Sequence, residues 1–127
     1  MTKTPKYITI EADSEANRCL RELYKAELKH PVFATGFTDS TIEQNQRALN
    51  VLRLKNDNPN RPQDVMNILL EEVMEAEEAY LKGDYKNCIK ELAQVGAVVF
   101  RAIKWVISHA QKENPKWDLK TSQQKKI

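Results

Sequence analysis

The stretch VMNILLEEVMEAEEAYLKGDYKNCIKELAQVGAVVFRAIKWV, residues 65–106, decides the fold. On either side of its one early glycine, two runs of helix formers carry polar oxygens at mirror-image distances. Glu72 and Glu75 lie 11 and 8 residues before Gly83, and Glu91 and Gln94 lie 8 and 11 residues after it. A helix rises ~1.5 Å per residue, so a tight turn at Gly83 between antiparallel helices sets Glu75 level with Glu91 and Glu72 level with Gln94. The four groups then meet roughly 12 to 16 Å from the turn. Such a box suits a hard divalent cation such as Mg²⁺, which takes oxygen ligands.

The faces agree with this reading. At ~100° per residue, Val65, Ile68, Leu69, Val73, Ala76, Ala79 and Tyr80 form one apolar stripe with Glu72 in its middle and Glu71 and Glu75 at its edge. In the second run Cys88, Leu92, Val95, Val98, Val99, Ala102, Ile103 and Val106 form the stripe, with Glu91 inside it and Gln94 at its margin. A carboxylate facing a packed apolar surface costs several kcal/mol unless it is paired or bound to a metal. Two such breaches at matched heights imply a site. The structural alternative for Glu72 and Glu91 is a buried ion pair with Lys90 or Arg101.

Working outward, Pro62 suits the first turn of the third helix, which is expected to end at Leu81 or Lys82 before Gly83. Asp84 caps a fourth helix running to about Lys112, so residues 62–112 form the helical hairpin. Upstream, Asp13 or Ser14 caps a helix to about Lys29, stopped by Pro31. Ser40 and Glu43 have capping-box spacing before a second helix to about Lys55, with Ile42, Leu49 and Leu52 as its buried stripe. The segment 30–39 is a loop anchored by Phe33 and Phe37, and NDNPNR at 56–61 is a turn by composition. Tyr7 to Ile10 is an extended arm or a lone edge strand. The fold class is all-α, about four helices, in a single domain spanning 1–112, with 113–127 as a flexible basic tail.

At 127 residues and net charge +2, with acids and bases interspersed, the chain has no broad basic face, which argues against nucleic acid as its main partner. From Gln111 onward five lysines stand against Glu113 and Asp118, a solvated end. Cys19 and Cys88 fall on apolar helical faces and read as buried free thiols of a reducing compartment. No segment reaches the ~18 apolar residues of a membrane span, and residues 1–6 lack a signal-peptide core. A cytoplasmic protein with no membrane partner is expected.

The stretch from Leu69, LLEEVMEAEEA, followed after a spacer by KELAQVGAVVFRAI, resembles the EExxE…ExxD signature of the MazG-like nucleoside triphosphate pyrophosphohydrolases, whose metal-binding core is similar to that of the dimeric dUTPases. Glu71, Glu72 and Glu75 match the first half and Glu91 the second, with Gln94 where the aspartate is usual. The resemblance covers about Val65 to Ile107. It implies Mg²⁺, with Mn²⁺ as a substitute, held by Glu72, Glu75, Glu91 and Gln94. It further implies attack of water beside the α–β bridge of a nucleoside triphosphate, giving a monophosphate and pyrophosphate. Glu71 or Glu75 then orients that water or takes its proton. Association into dimers or dimers of dimers is also implied. Gln94 brings an amide oxygen but no charge, so a weaker metal site than four carboxylates is expected.

Other residues carry less. Lys55, Arg101 and Lys104 are the candidate phosphate contacts, with Lys86 and Lys90 nearer the turn, and each has the alternative of a solvated surface charge. Trp105 can stack on a base or pack at a core or interface. Glu71, Glu77 and Glu78 also suit a plain solvated helix face. Glu27 and His30 have ExxH spacing without a second copy, so His30 reads as a helix cap, and His109 as an exposed residue near a helix end. No glycine-rich phosphate loop and no nucleophile with a placed base is present. The alternative to an enzyme is a non-catalytic helical protein for oligomerisation or partner binding, with the acids as a vestigial or regulatory cation site.

Overall fold

The computed structural model describes residues 14–119. Among these the chain is all-helical, without strands: α1 is Glu15–Lys29, α2 Ile42–Asn56, α3 Val65–Leu81 and α4 Tyr85–Glu113. The proposed strand at Tyr7 to Ile10 and the last eight residues of the basic tail lie outside the described residues. The chain divides into two compact units after Thr35.

In the first unit α1 is capped by Ser14, whose hydroxyl accepts from Asn17 N at 3.1 Å, and closed by His30, whose N–H donates to Ala26 O. His30 thus acts at the helix end. Glu15 pairs with Arg18 at 3.6 Å and Glu22 with Lys25 at 3.3 Å. Leu20, Leu23, Tyr24 and Leu28 are exposed. Cys19 is half-buried rather than enclosed, because α1 buries no residue fully. Phe33 is wholly exposed and anchors nothing.

The second unit is built on α3, which packs against α2 on one side and α4 on the other. Its middle is narrow: Ala76 and Ala79 are buried, and their small side chains let both neighbours approach. Leu49 and Leu52 of α2 fill one interface and Cys88 of α4 closes the other. Ile42 is exposed, contrary to the α2 stripe expected; Asn45 takes the corresponding buried position one turn before Leu49. Phe37 does anchor its loop, stacking on Tyr80 at 4.5 Å, and Tyr80 meets Tyr85 at 5.6 Å.

Ser14 and Asp84 cap α1 and α4 as the sequence suggests, whereas α2 and α3 start one and three residues later than expected. The capping box of α2 is Thr41 with Gln44, the reciprocal bonds measuring 3.2 and 2.9 Å. Ser40, in the same spacing to Glu43, is instead turned to donate its N–H to Thr38 Oγ1. Pro62 stands outside α3, since Asp64 has an extended backbone and its carbonyl accepts the first helical bond from Ile68 N. Between α3 and α4 the turn is as expected. Gly83 has φ +77°, its N–H donates to Tyr80 O at 2.9 Å, and Asp84 N donates to Ala79 O at 2.9 Å. These two bonds are the Schellman pairing that a left-handed residue makes possible, so glycine is required here. The Asp84 carboxylate then accepts from Asn87 N at 3.2 Å and starts α4.

Candidate metal and polyphosphate site

Because the turn is short and both helices are regular, the register predicted from Gly83 is realised at the level of Glu72 and Gln94. With its amide nitrogen turned inward, Gln94 donates to Glu72 Oε2 at 3.2 Å and to Glu91 Oε2 at 3.0 Å. Amide oxygen and nitrogen are told apart by their partners, and only the nitrogen can donate to two carboxylates. Rotating the amide about its last bond would set three oxygens against one another, which is stable only around a cation or a proton. Gln94 therefore bridges the hairpin in one orientation and completes an oxygen set in the other.

Glu75 sits in the field of this group. Burial, then Glu72, Glu91 and Glu71, push its carboxyl up from 4.5 to about 7, while Arg53 on α2 pulls the other way. The Glu72 carboxyl is also raised, first by burial and then by Glu91 and Glu71. Four acids thus share a half-buried patch in which Arg53 is the cation acting on Glu75. Arg53 is absent from the sequence reading; its signal is its place four residues past buried Leu49, on the same side of α2.

Glu71 is oriented from α2. Asn56 Nδ2 donates to Glu71 Oε1 at 2.9 Å and to Asn67 O at 3.1 Å. One end of α2 thereby holds the first acid of the cluster. The other end repeats the device, with Asn45 Nδ2 donating to Met74 O and to Glu77 Oε1, both at 2.9 Å, and Thr38 Oγ1 donating to Glu77 Oε2 at 2.6 Å. Glu77 is accordingly a bound acceptor between α2 and α3 rather than a solvated residue. Glu78 pairs with Lys82 at 3.5 Å. Asn45, Leu49, Leu52 and Asn56 recur at steps of four, three and four, a pattern visible in the sequence as one α2 face with amides at both ends.

Among the described residues no ion pair joins Glu72 or Glu91 to Lys90 or Arg101. Nor do three or more His, Cys, Asp or Glu side chains gather there as a ready-made metal cage. The tightest grouping is two carboxylates and one amide, with Glu75 coupled to them through charge.

One turn beyond the cluster lies a cleft of about 230 Å³ between the start of α3 and the second half of α4, lined by Gln63, Ile68, Val98, Arg101, Ala102 and Trp105. Arg101 and Trp105 thus share one wall, two and three turns past Gln94 along α4. Trp105 is 54% exposed and stacks on His109 at 4.9 Å, so it is not a core residue. Lys104 is exposed, and Lys55, half-buried at the end of α2, lines neither this cleft nor an ion pair. Among the described residues no helix is long and apolar enough to cross a membrane. No family model, no curated protein and no solved structure matches the chain.

Proposed function

We propose that the protein is a Mg²⁺-dependent nucleoside triphosphate pyrophosphohydrolase, in the manner of the MazG-like enzymes its hairpin resembles. The observation that carries this reading is the meeting of Glu72, Glu91 and Gln94 across the hairpin beside a Glu75 carboxyl lifted to about 7. Acids held together with so little positive charge suit a site meant to receive a cation, and oxygen donors of this kind fit Mg²⁺ or Mn²⁺. When bound, such a cation neutralises polyphosphate charge and acidifies a coordinated water.

The chain's own groups supply the rest. Glu72 and Glu91 offer carboxylate oxygens from opposite helices, and Gln94 adds its amide oxygen after turning over. Glu75, titrating near neutrality, is matched to accept a proton from an attacking water at physiological pH. Glu71 is kept aimed by Asn56. Arg101 on the cleft wall is the phosphate contact best placed, and Trp105 opposite Gln63 offers a flat surface to a ring.

A second reading is favoured by one observation: the Gln94 amide satisfies both acids without any cation. On that reading the hairpin is a structural element of a non-catalytic helical protein. Pyrophosphate release from a panel of nucleoside triphosphates with Mg²⁺ or Mn²⁺ separates the two. The enzyme reading expects turnover of at least one triphosphate and its loss in both Glu72→Ala and Glu91→Ala. A panel without turnover, or turnover unaffected by either substitution, rejects it.

A further inference from the structure

Arg101, Trp105, His109 and Glu113 recur at steps of four along α4 and form one row: a guanidinium, an indole, an imidazole and a carboxylate. By the helical rise Arg101 lies about 10 Å and Trp105 about 16 Å past Gln94, so the cation is the nearer of the two to the acids. Both line the cleft of about 230 Å³, together with apolar Ile68 and Val98. His109 is not part of that lining. It lies ring to ring with Trp105 instead, the centroids 4.9 Å apart and the planes 8° from parallel.

That stack fixes an otherwise loose side chain. Trp105 is 54% exposed, and among the described residues His109 is the one aromatic ring against it. An exposed side chain is free to sample several rotamers. A parallel stack at this distance is a preferred arrangement for flat rings and favours one of them. The imidazole is steadied in turn from the next turn of helix, where Glu113 Oε1 lies 4.0 Å from its Nε2. What Trp105 gives to the cleft is then the part of the indole that His109 leaves uncovered.

We propose that His109 is a positioning residue for ring binding: it covers one face of the Trp105 indole and holds the other toward the cleft, where a nucleobase stacks. This role rests on the nucleotide reading of the site and gives the substrate a direction. The base lies at the Trp105 end of the row, and the phosphates run past Arg101 toward Glu72, Glu75 and Glu91. The space is adequate. A cavity of about 150 Å³ accepts a benzene ring, so one of about 230 Å³ has room for a base. Base–aromatic stacking is available to every nucleobase because each has a π-face.

Binding without turnover tests the role, in a Trp117→Phe background that leaves Trp105 as the one tryptophan. Adenosine, cytidine, guanosine and uridine 5′-monophosphates are titrated without divalent metal, beside ribose 5-phosphate, which has the phosphate and no base. At least one nucleotide is expected to quench Trp105 emission, and ribose 5-phosphate to leave it unchanged. His109→Ala is expected to weaken that nucleotide about three- to tenfold, the range set by freeing one side chain, and His109→Phe, which keeps a flat ring behind the indole, to restore it. A pair that only stabilises the helix would lower the melting temperature of His109→Ala and leave nucleotide affinity alone. With a hydrolysed triphosphate the alanine variant is expected to raise KM and spare kcat, since His109 lies about 22 Å along α4 from Gln94. No quenching by any nucleotide, equal quenching by ribose 5-phosphate, unchanged affinity in His109→Ala, or a phenylalanine variant no better than alanine would each overturn the proposal. Neither metal nor cleavage enters the titration, so ring binding without turnover rejects the pyrophosphohydrolase and keeps this role. Turnover with nucleotide affinity untouched by His109→Ala does the reverse.

Discussion

Gln94 reaches across the α3–α4 hairpin to Glu72, its amide lying 3.2 Å from Oε2, while also touching Glu91 one turn earlier on its own helix at 3.0 Å. A neutral side chain here does what a fourth carboxylate could not: it donates to its acidic neighbours and stabilises them in the absence of a cation. The cost appears when a cation binds, since the amide must turn over and contributes no charge. Gln94→Asp is therefore expected to lower the thermal stability of the metal-free protein and to tighten Mg²⁺ binding about tenfold or more, equivalent to about 1.4 kcal/mol. Calorimetric titration beside melting curves checks both. Unchanged Mg²⁺ affinity in the aspartate variant would show that position 94 is not a ligand.

The raised Glu75 carboxyl makes stability depend on pH. Between 4.5 and about 7 the folded protein keeps a proton that the unfolded chain has released. Metal-free stability must then fall as pH rises through that window and level off above it. Melting temperatures are expected to be higher at about pH 5 than at about pH 8, with the difference reduced in Glu75→Gln. Adding Mg²⁺ should raise the melting temperature chiefly at the upper end, where protons no longer compete. A slope unaltered by Glu75→Gln would place the titration elsewhere.

Asn56 ties α2 to the acid cluster through two bonds from one amide nitrogen. Asn56→Ala removes both and frees Glu71, at a cost of about 1–3 kcal/mol in urea denaturation. If Glu71 helps to orient water, the turnover number falls more than substrate affinity does. Asn56→Asp is the sharper variant, because it sets a like charge against Glu71 and is expected to be worse than alanine.

Leu49 is fully buried between α2 and α3. Because the described core has only a handful of enclosed side chains, little is available to refill the space. Leu49→Ala is expected to destabilise the protein by about 2–5 kcal/mol, with Ile42→Ala, on the exposed start of the same helix, within about 0.5 kcal/mol of wild type. Equal effects from the two substitutions would contradict the packing described.

The hairpin was legible in the sequence because its information is local. Gly83, Asp84 and the two acid spacings specify a turn, a cap and a register without knowledge of any other element. What lay between helices was not legible. Asn45 lies in the expected second helix without an assigned role and Asn56 in the segment expected as a turn, and what they do depends on carbonyls and carboxylates of α3 reached only after packing. The apolar residues of α4 were read as one stripe, yet Cys88, Val95, Val98 and Ala102 share the side turned to α3 whereas Leu92 and Val106 look outward. A stripe this wide marks two faces, and periodicity alone cannot say which neighbour covers each. Ser40 and Thr41 have equivalent capping spacings, and the choice between them is made by Thr38.

The left-handed glycine between the two long helices has a consequence for change by insertion or deletion. It phases the second helix against the first, so one residue gained or lost between Glu75 and Glu91 would rotate every later side chain by about 100° and slide it by about 1.5 Å. Glu91 and Gln94 would together lose their register with Glu72 and Glu75 on α3. Tolerated length variation in this hairpin must come in whole turns, about seven residues for two, shared between both arms so that the opposing levels still coincide.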